Sequence, residues 1–380
     1  MASDDIYIGL MSGTSVDAID AVAINLSDQP IERNQRILGH SSLAIPENIK
    51  KRVITLSSEA TDSLSENLEL DFILGHLFAD ATLELLHQLK LKPRQVQAIG
   101  CHGQTIRHKP PQALTSTNNT EVVSSYSQQI ADANIIAERT DIDVVADFRR
   151  RDIAAGGQAA PLVPTFHAHW FGEFEQRKVA VNIGGMANIS VLESDTCVAG
   201  FDSGPGNALM DYWCQKNTGK AFDQSGEWAS KGEVLEDLLA KLYAAPYFSQ
   251  SLPKSTGREL FNADWLEAHL CEENAAVDIQ ATLLELTALS LSDAIALAAP
   301  VCSEIILCGG GVYNTQLVKR LQELCKTQVV NCQTYGLMPE QVEGAAFAWL
   351  AKKRLLDQPG NAPKVTGAKG YRILGALYSA

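Results

Sequence analysis

The residues best suited to chemistry in this chain sit in short runs of glycine, hydroxyl and charged side chains. In GFDSGPGN (Gly200–Asn207), Asp202 closes the apolar stretch Val198–Phe201 and precedes Gly204-Pro205-Gly206, which forces a sharp turn. A carboxylate leaving a strand end at such a turn is placed for general-base work. Asp-Ser-Gly is also ordinary turn chemistry, and composition alone weighs the two readings evenly. In MSGTS (Met11–Ser15), glycine lets main-chain N–H groups approach a ligand, and Ser12, Thr14 and Ser15 add hydroxyl donors. Such a nest of donors suits phosphate oxygens. Arg149-Arg150-Arg151 follows Asp147-Phe148, and the default for such a run is a solvated charge cluster. His167 and His169 are not accompanied by the further ligands a metal site needs.

The elements that must position these residues repeat. Tyr7–Leu10, the MSGTS turn and the alternating return through Ala18, Asp20, Val22, Ile24 and Leu26 read as strand, tight turn and strand. The same device recurs in RKVAVNIGGMANISVL: Val179–Ile183 is the strand, Gly184-Gly185 the turn and Ile189–Leu192 the return. Two such hairpins half a chain apart imply an internal duplication with one phosphate loop in each half. In EIILCGGGVYNTQLVKRL (Glu304–Leu321), a buried strand meets Gly309-Gly310-Gly311 and then a helix, which brings flat backbone against a ring system such as adenine. The P-loop and GxGxxG signatures are absent. Helices are expected over Glu66–Leu91, with Leu68, Phe72, Leu77, Leu83, Leu86 and Leu89 on the apolar side, and over Ile130–Glu138. The second half should add helices over Asn207–Lys216, Ala229–Ala244, Ala263–Glu272, Asp278–Ala298 and Glu340–Leu355. Short strands over Val96–Cys101 and Ile142–Ala146 deliver His102-Gly103-Gln104-Thr105 and Asp147-Phe148-Arg149 at their C-terminal ends, where open α/β sheets bind ligands. The crossover falls around Asp152–Pro164. The expected division is 1–150 and 151–357, with 358–380 lying as coil against a domain surface and joining the first domain.

With two hairpins and an adenosine turn, the chain is similar to the actin, hexokinase and Hsp70-type ATPases. Within that superfamily it closely resembles the anhydro-N-acetylmuramic acid kinases. The matching segments are GLMSGTSVDAID (Gly9–Asp20), GCHGQTIRH (Gly100–His108), DVVADFRRRDIAAGGQ (Asp143–Gln158), NIGGMANIS (Asn182–Ser190), GFDSGPGNALMD (Gly200–Asp211), PKSTGRELFN (Pro253–Asn262) and LCGGGVYN (Leu307–Asn314). Ala18, Ala131 and Ala159 stand where the family favours glycine, and the polar loop Gln112–Ser125 is longer than usual.

The resemblance implies a duplicated RNase H-like α/β fold of two domains with an interdomain cleft. It implies an ATP- and Mg²⁺-dependent enzyme that opens the 1,6-anhydro ring of 1,6-anhydro-N-acetylmuramic acid and phosphorylates O6, giving N-acetylmuramic acid 6-phosphate and ADP in cell-wall recycling. Asp202 is then the base that activates a water. Gly13, Thr14, Ser15, Val16, Asp17, Ala18, Ile19, Asp20, Asn182, Gly184, Gly185, Gly309, Gly310, Gly311 and Asn314 serve ATP. The sugar falls to His102, Gln104, Thr105, Arg149, Arg151, Asp152, Gly204 and Asn207. An arginine fork, from Arg149 or Arg151, suits the lactyl carboxylate. His102 is a sugar contact or a satisfied structural histidine, and Asp152 contacts sugar or is structural. Mg²⁺ is carried by ATP, through water or with help from Asp17 or Asp20. A homodimer is admitted by the resemblance alone. The alternatives are an amino-sugar kinase acting on a free 6-hydroxyl, and a non-catalytic nucleotide-gated binding protein.

Composition agrees. The 380 residues exceed the usual size of one core. A net charge of −14 argues against nucleic acid or an anionic membrane as partner. The acidic start MASDDIYIGL lacks a signal-peptide n-region, and Glu285 and Asp293 interrupt Ala281–Val301, so neither a leader nor a membrane span is expected. Eight cysteines without a CxxC pattern fit reduced thiols in the cytoplasm.

Overall fold

The computed structural model describes residues 5–28, 32–58, 63–111, 124–252, 254–257, 260–271 and 273–380. The expected loop at 112–125 lies almost wholly outside these, as do Pro253, Arg258 and Glu259. The first strands in chain order are β1 (Ile6–Ser12), β2 (Ala18–Asn25), β3 (Ile37–Ala44), β4 (Val96–Lys109), β5 (Tyr126–Ile130) and β6 (Val144–Ala146). The chain continues with β7 (Arg177–Ile183), β8 (Met186–Glu193), β9 (Thr196–Pro205), β10 (Glu304–Cys308), β11 (Val329–Asn331) and β12 (Ala376–Tyr378). They form a seven-stranded sheet of order β12-β6-β4-β1-β2-β3, with β5 on the extension of β4, and a five-stranded sheet of order β11-β10-β7-β8-β9.

The two sheets share one plan. In each, three consecutive strands make an antiparallel meander, β1-β2-β3 and β7-β8-β9. Two later strands then add in parallel beyond the first: β4 and β6 beside β1, β10 and β11 beside β7. Strand order 3-2-1-4-5 with that polarity is the RNase H-like fold, and it is built twice.

The chain forms two compact units, Met1–Phe166 with Tyr335–Ala380, and His167–Thr334. The expected boundaries therefore shift: residues 151–166 and the helix Val342–Leu355, assigned from sequence to the second half, pack with the first. The C-terminal segment is not coil throughout. It contains a short helix, Pro363–Thr366, and β12, which pairs antiparallel with β6. Strand β4 runs to Lys109 rather than Cys101 because β5 pairs with its extension. The expected helix Ala229–Ala244 divides into a 3₁₀ turn, Ala229–Lys231, and a helix, Glu236–Tyr243, around Gly232.

In the first unit, β1 is buried along nearly its whole length because both faces are covered. Ile8 and Leu10 join Leu70, Leu74, Phe78 and Ile136 in one core. That core receives the helix Leu64–Leu89 through Leu70, Leu74, Phe78 and Leu85. Of the stripe expected from sequence, Leu86 is buried and Leu77, Leu83 and Leu89 pack against the core, whereas Leu68 and Phe72 are 59% and 57% exposed. Apolar residues surround much of this helix, so spacing alone does not choose its buried side. On the opposite face of β1 and β4 lies the helix Val342–Leu355. A methyl on Gly9 would strike the Gly344 carbonyl, and one on Gly100 the Phe347 carbonyl. Backbone meets backbone there because side chains are absent.

The second unit is centred on the helix Ala276–Ala298, whose buried residues Leu283, Leu286 and Leu291 pack with Val181, Ile189 and Phe201. By length and composition this helix could cross a membrane, yet 67% of its apolar window is buried inside the protein. Its Glu285 makes a two-pronged ion pair with Arg320 at 2.7 and 2.8 Å.

The glycine seam yields a test. Gly100→Ala should destabilise the first unit by about 2 kcal/mol or more, since overpacking against rigid backbone cannot be relieved by a rotamer change. A urea midpoint equal to that of the parent protein would show that the helix does not approach β4 this closely.

Candidate active site

In the first unit the turn between β1 and β2 spans Gly13–Asp17. Val16 adopts a left-handed conformation (φ 55°), and its N–H donates to the Gly13 carbonyl at 3.1 Å. Thr14 and Ser15 are exposed, and nothing lies within 4 Å of where a Gly13 side chain would begin. The turn thus presents hydroxyls and main-chain donors to open space. Val16 and Ile19 bury their side chains in the core, so only their backbone is offered to a ligand. Asp17 forms an ion pair with Lys50, and Asp20 lies 3.2 Å from Nε2 of His40.

Beside the turn, β4 carries a bulge. Leu10 pairs with Cys101, but Ser12 pairs with Gln104, so β4 has one extra residue over this interval. Gly103 supplies it with φ 73°, and a side chain there would press on the Ile130 carbonyl at 2.8 Å. The bulge sets Gln104 directly opposite Ser12. Both residues are buried (1% and 2% exposed), and Gln104 Oε1 and Ser12 Oγ have no hydrogen-bond partner among the described residues. Neighbouring Thr105 accepts from Gln129 Nε2 at 3.2 Å.

His102 and Arg149 form a linked pair. The Arg149 Nε–H donates to His102 Nε2 at 3.0 Å, and Nη1 donates to the Ala159 carbonyl at 2.6 Å. With Nε2 accepting, Nδ1 of His102 bears the proton and donates to the Gly103 carbonyl at 2.9 Å. One neutral imidazole therefore ties the bulge to the guanidinium. Burial lowers the Arg149 pKa to about 10, partly offset by the nearby Glu343 and Asp152 charges. Burial raises the Glu343 carboxyl, against the opposing pull of Arg149 and with a small push from Asp20. Glu343, in the first turn of the helix on the glycine seam, was not singled out from sequence. Its signal there is one acidic residue opening an otherwise small and apolar run, VEGAAFA.

Two expected sugar contacts have other places. Asp152 is 0% exposed, and its carboxylate accepts from Ala159 N–H (2.8 Å), Asn361 Nδ2 (2.8 Å) and Thr366 Oγ1 (3.0 Å). Of its two open readings, the structure supports the structural one: it brackets the 155–159 loop to the C-terminal segment. Arg151 is exposed at the surface, whereas Arg149 is half-buried.

In the second unit, Gly184-Gly185 turns between β7 and β8. Their carbonyls accept from the N–H groups of Gly206, Asn207 and Ala208, which fixes the turn to the start of the helix Ala208–Thr218. Asn207 also donates from Nδ2 to the Ile183 carbonyl at 3.3 Å, so it braces this turn. The triple glycine abuts the same turn: Gly309 has φ 77°, and a side chain there would strike Asn182 Oδ1 at 2.5 Å. Gly311 passes against Ile183 just as closely. Asn314 caps the helix Thr315–Leu324 by accepting from Leu317 N–H at 3.1 Å, so its amide oxygen is already in use.

Asp202 lies within β9, which continues to Pro205, rather than at a strand end. It pairs with Asn188, which pairs with Asn182. Opposed positions on adjacent strands point to one face, so Asn182, Asn188 and Asp202 form a polar row. The neighbouring Ile183, Ala187 and Phe201 go to the core. Asp202 Oδ2 accepts from Thr256 N–H at 3.0 Å, its carbonyl accepts from Tyr247 OH at 2.7 Å, and its N–H donates to the Lys254 carbonyl at 3.0 Å. Three contacts from Tyr247, Lys254 and Thr256 thus hold the residue, one of them at the carboxylate. Gly204 is buried, with Phe248 over the position a side chain would take. Among the described residues no group of three or more His, Cys, Asp or Glu could hold a metal. His167 is buried, with Nδ1 3.0 Å from Ser190 Oγ.

The buried histidines make stability depend on acid. Burial holds His167 at a pKa of about 3, and burial with the Arg149 charge holds His102 well below the imidazole range. Unfolding returns each to about 6.5. Between that value and the folded pKa, the unfolded chain binds protons that the folded chain refuses. Stability therefore falls as pH drops, by about 1.4 kcal/mol per pH unit for each histidine. Urea midpoints at about pH 7.5 and 5 should show the loss, and His167→Asn should make it shallower. An unchanged pH dependence in that variant would contradict a neutral buried imidazole.

Comparison with known proteins agrees with this geometry. The family model for anhydro-N-acetylmuramic acid kinase matches residues 5–380. A protein of Saccharophagus degradans named anhydro-N-acetylmuramic acid kinase is 44% identical over 378 residues, covering 98% of this chain and 99% of the relative. One so named from Pseudomonas paraeruginosa is 44% identical, covering 98% and 99%. Another, from Vibrio parahaemolyticus, is 44% identical over the full length of both chains. With a match of that extent and two RNase H-like units carrying the glycine turns in corresponding places, the chain belongs to the anhydro-N-acetylmuramic acid kinase family.

Proposed function

We propose that the protein uses ATP to open and phosphorylate 1,6-anhydro-N-acetylmuramic acid. O6 of this sugar bridges to C1, so no free hydroxyl awaits phosphorylation. Asp202 takes a proton from a water molecule, and the water oxygen bonds to C1 as the C1–O6 bond breaks. The electron pair left on O6 attacks the γ-phosphorus, and ADP leaves. The products are N-acetylmuramic acid 6-phosphate and ADP. Glycosidases add a second carboxylic acid to protonate the leaving oxygen; here phosphorus captures it instead.

The observation that carries this reading is the anchoring of Asp202. A base must be held in one orientation, and Thr256 N–H fixes one carboxylate oxygen while the strand and Tyr247 fix the backbone. Turn chemistry, the competing reading, does not explain a carboxylate inside a strand, in line with two asparagines. The turns Gly13–Asp17 and Asn182–Gly185 take the phosphates, and Gly309–Gly311 the nucleoside. Magnesium, when bound with ATP, neutralises charge on the β- and γ-phosphates. Arg149 is the arginine assigned to the lactyl carboxylate. Its Nε and Nη1 are engaged, which leaves Nη2 as the end to meet an anion. Cysteines free throughout the described structure suit a reducing compartment, and we place the enzyme in the cytoplasm.

The test is Asp202→Asn. Turnover should fall about 100- to 10,000-fold, the usual worth of general-base assistance, while calorimetric affinities for ADP and the anhydro sugar stay within about twofold. A variant that keeps its turnover would remove Asp202 from the chemistry.

A further inference from the structure

Lys254 is half-buried, and its ammonium donates to the carbonyls of Tyr247 and Phe248, at 3.1 Å each. The same ammonium stands 4.6 Å from the centre of the Tyr247 ring. Burial lowers its pKa, and no neighbouring carboxylate among the described residues works against that. A cation drawn out of water without an acidic partner is costly to keep. Two carbonyls and a ring face are what hold it.

These contacts join two arms that meet at Asp202. The first is Tyr247 and Phe248, in the run of turns after the helix Glu236–Tyr243. Both rings pack on the buried Phe261, with centres 5.5 Å apart in each case, so this arm belongs to the core. It touches the strand of the base twice. Tyr247 OH donates to the Asp202 carbonyl at 2.7 Å, and the Phe248 ring lies 2.8 Å from where a Gly204 side chain would begin. The second arm, Lys254–Thr256, has no regular secondary structure, and Ser255 is exposed. It accepts the Asp202 N–H on the Lys254 carbonyl and gives the Thr256 N–H to the carboxylate, at 3.0 Å each. The geometry points to Lys254 as a positioning residue for the base: its ammonium clips the second arm to the core-packed first arm and so sets the Thr256 N–H against the Asp202 carboxylate. A neutral apolar side chain could cover the Tyr247 ring, but it could not bind both carbonyls. This assignment rests on the reading of Asp202 as the general base.

The test compares steady-state kinetics of full-length variants with Mg-ATP and the anhydro sugar. Lys254→Met keeps an unbranched apolar stem and removes the charge. Its kcat should fall about tenfold, within the roughly 100-fold that an ångström-scale displacement of a reacting group can cost. KM for ATP and for the sugar should stay within about twofold. Lys254→Arg can still donate to both carbonyls and lie over the ring, and it should recover most of the loss. In the Asp202→Asn background, Lys254→Met should cost less than about twofold, because a clip that acts through the carboxylate then has no base left to set. Lys254→Gln, with an uncharged donor, should fall between the methionine and arginine variants, and it takes the place of the methionine variant if that one does not fold. The assignment falls if Lys254→Met keeps the parent kcat, if arginine rescues nothing, or if the loss is as large in the Asp202→Asn background. It also falls if the loss appears in KM, since the ammonium then meets ATP or the sugar directly. An Asp202→Asn variant with the parent's turnover overturns the base and the clip together, whereas a Lys254→Met variant with the parent's turnover overturns the clip alone.

Discussion

The first unit depends on two side chains that are missing. Gly9 on β1 and Gly100 on β4 let the helix Val342–Leu355 rest its backbone directly on the sheet. No other residue type permits that approach, and the contact fixes where the side chains around it can lie. Glu343, one residue before Gly344, arrives within electrostatic reach of Arg149 and Asp20. Phe347 arrives against His102, with ring centres 4.6 Å apart, and against Phe148 at 5.4 Å. The bulge at Gly103, the His102 tautomer and the pose of Arg149 are thereby packed as well as hydrogen-bonded. A constraint of backbone sterics is passed into the placement of charge.

The charge so placed is left incomplete by its surroundings. Arg149 is half-buried, touches a neutral imidazole and a carbonyl, and feels two carboxylates at a distance. Of these, Asp152 is held in place by three donors from elsewhere. A half-buried cation with one end uncommitted is suited to an anionic ligand. The second unit solves a different problem. Its strand-borne row of Asn182, Asn188 and Asp202 stands on the face opposite the core, and the Tyr247–Thr256 segment fastens the acidic member. The first unit therefore offers positive charge, and the second offers an anchored carboxylate and two glycine turns.

Much of this was legible from residue order. The glycine turns at 13 and 184–185, the triple glycine at 309–311 and the aspartate at 202 all stand in or beside the elements that spacing indicated. Two hairpins half a chain apart did foreshadow a duplicated sheet. What stayed hidden depends on register and on long-range packing. The bulge that sets Gln104 opposite Ser12 is a one-residue slip between strands far apart in sequence, and no local pattern encodes it. The helix Leu64–Leu89 is apolar on too many sides for its period to separate the exposed Leu68 and Phe72 from the leucines that meet the core. The helix Val342–Leu355 comes after the second half in sequence but belongs with the first, because its complement is Gly9 and Gly100 near the start of the chain. The reading of Asp152 as a sugar contact or a structural residue stayed open in the sequence, because its partners Asn361 and Thr366 lie more than two hundred residues away.

The reaction itself can be followed most directly by running it in ¹⁸O-labelled water with ATP and 1,6-anhydro-N-acetylmuramic acid, and weighing the product before its anomeric oxygen exchanges. If water opens the ring and O6 captures phosphorus, one label appears on the sugar at C1, with none in the phosphoryl group and no labelled inorganic phosphate. Label in phosphate, or a phosphorylated sugar without label at C1, would contradict the account.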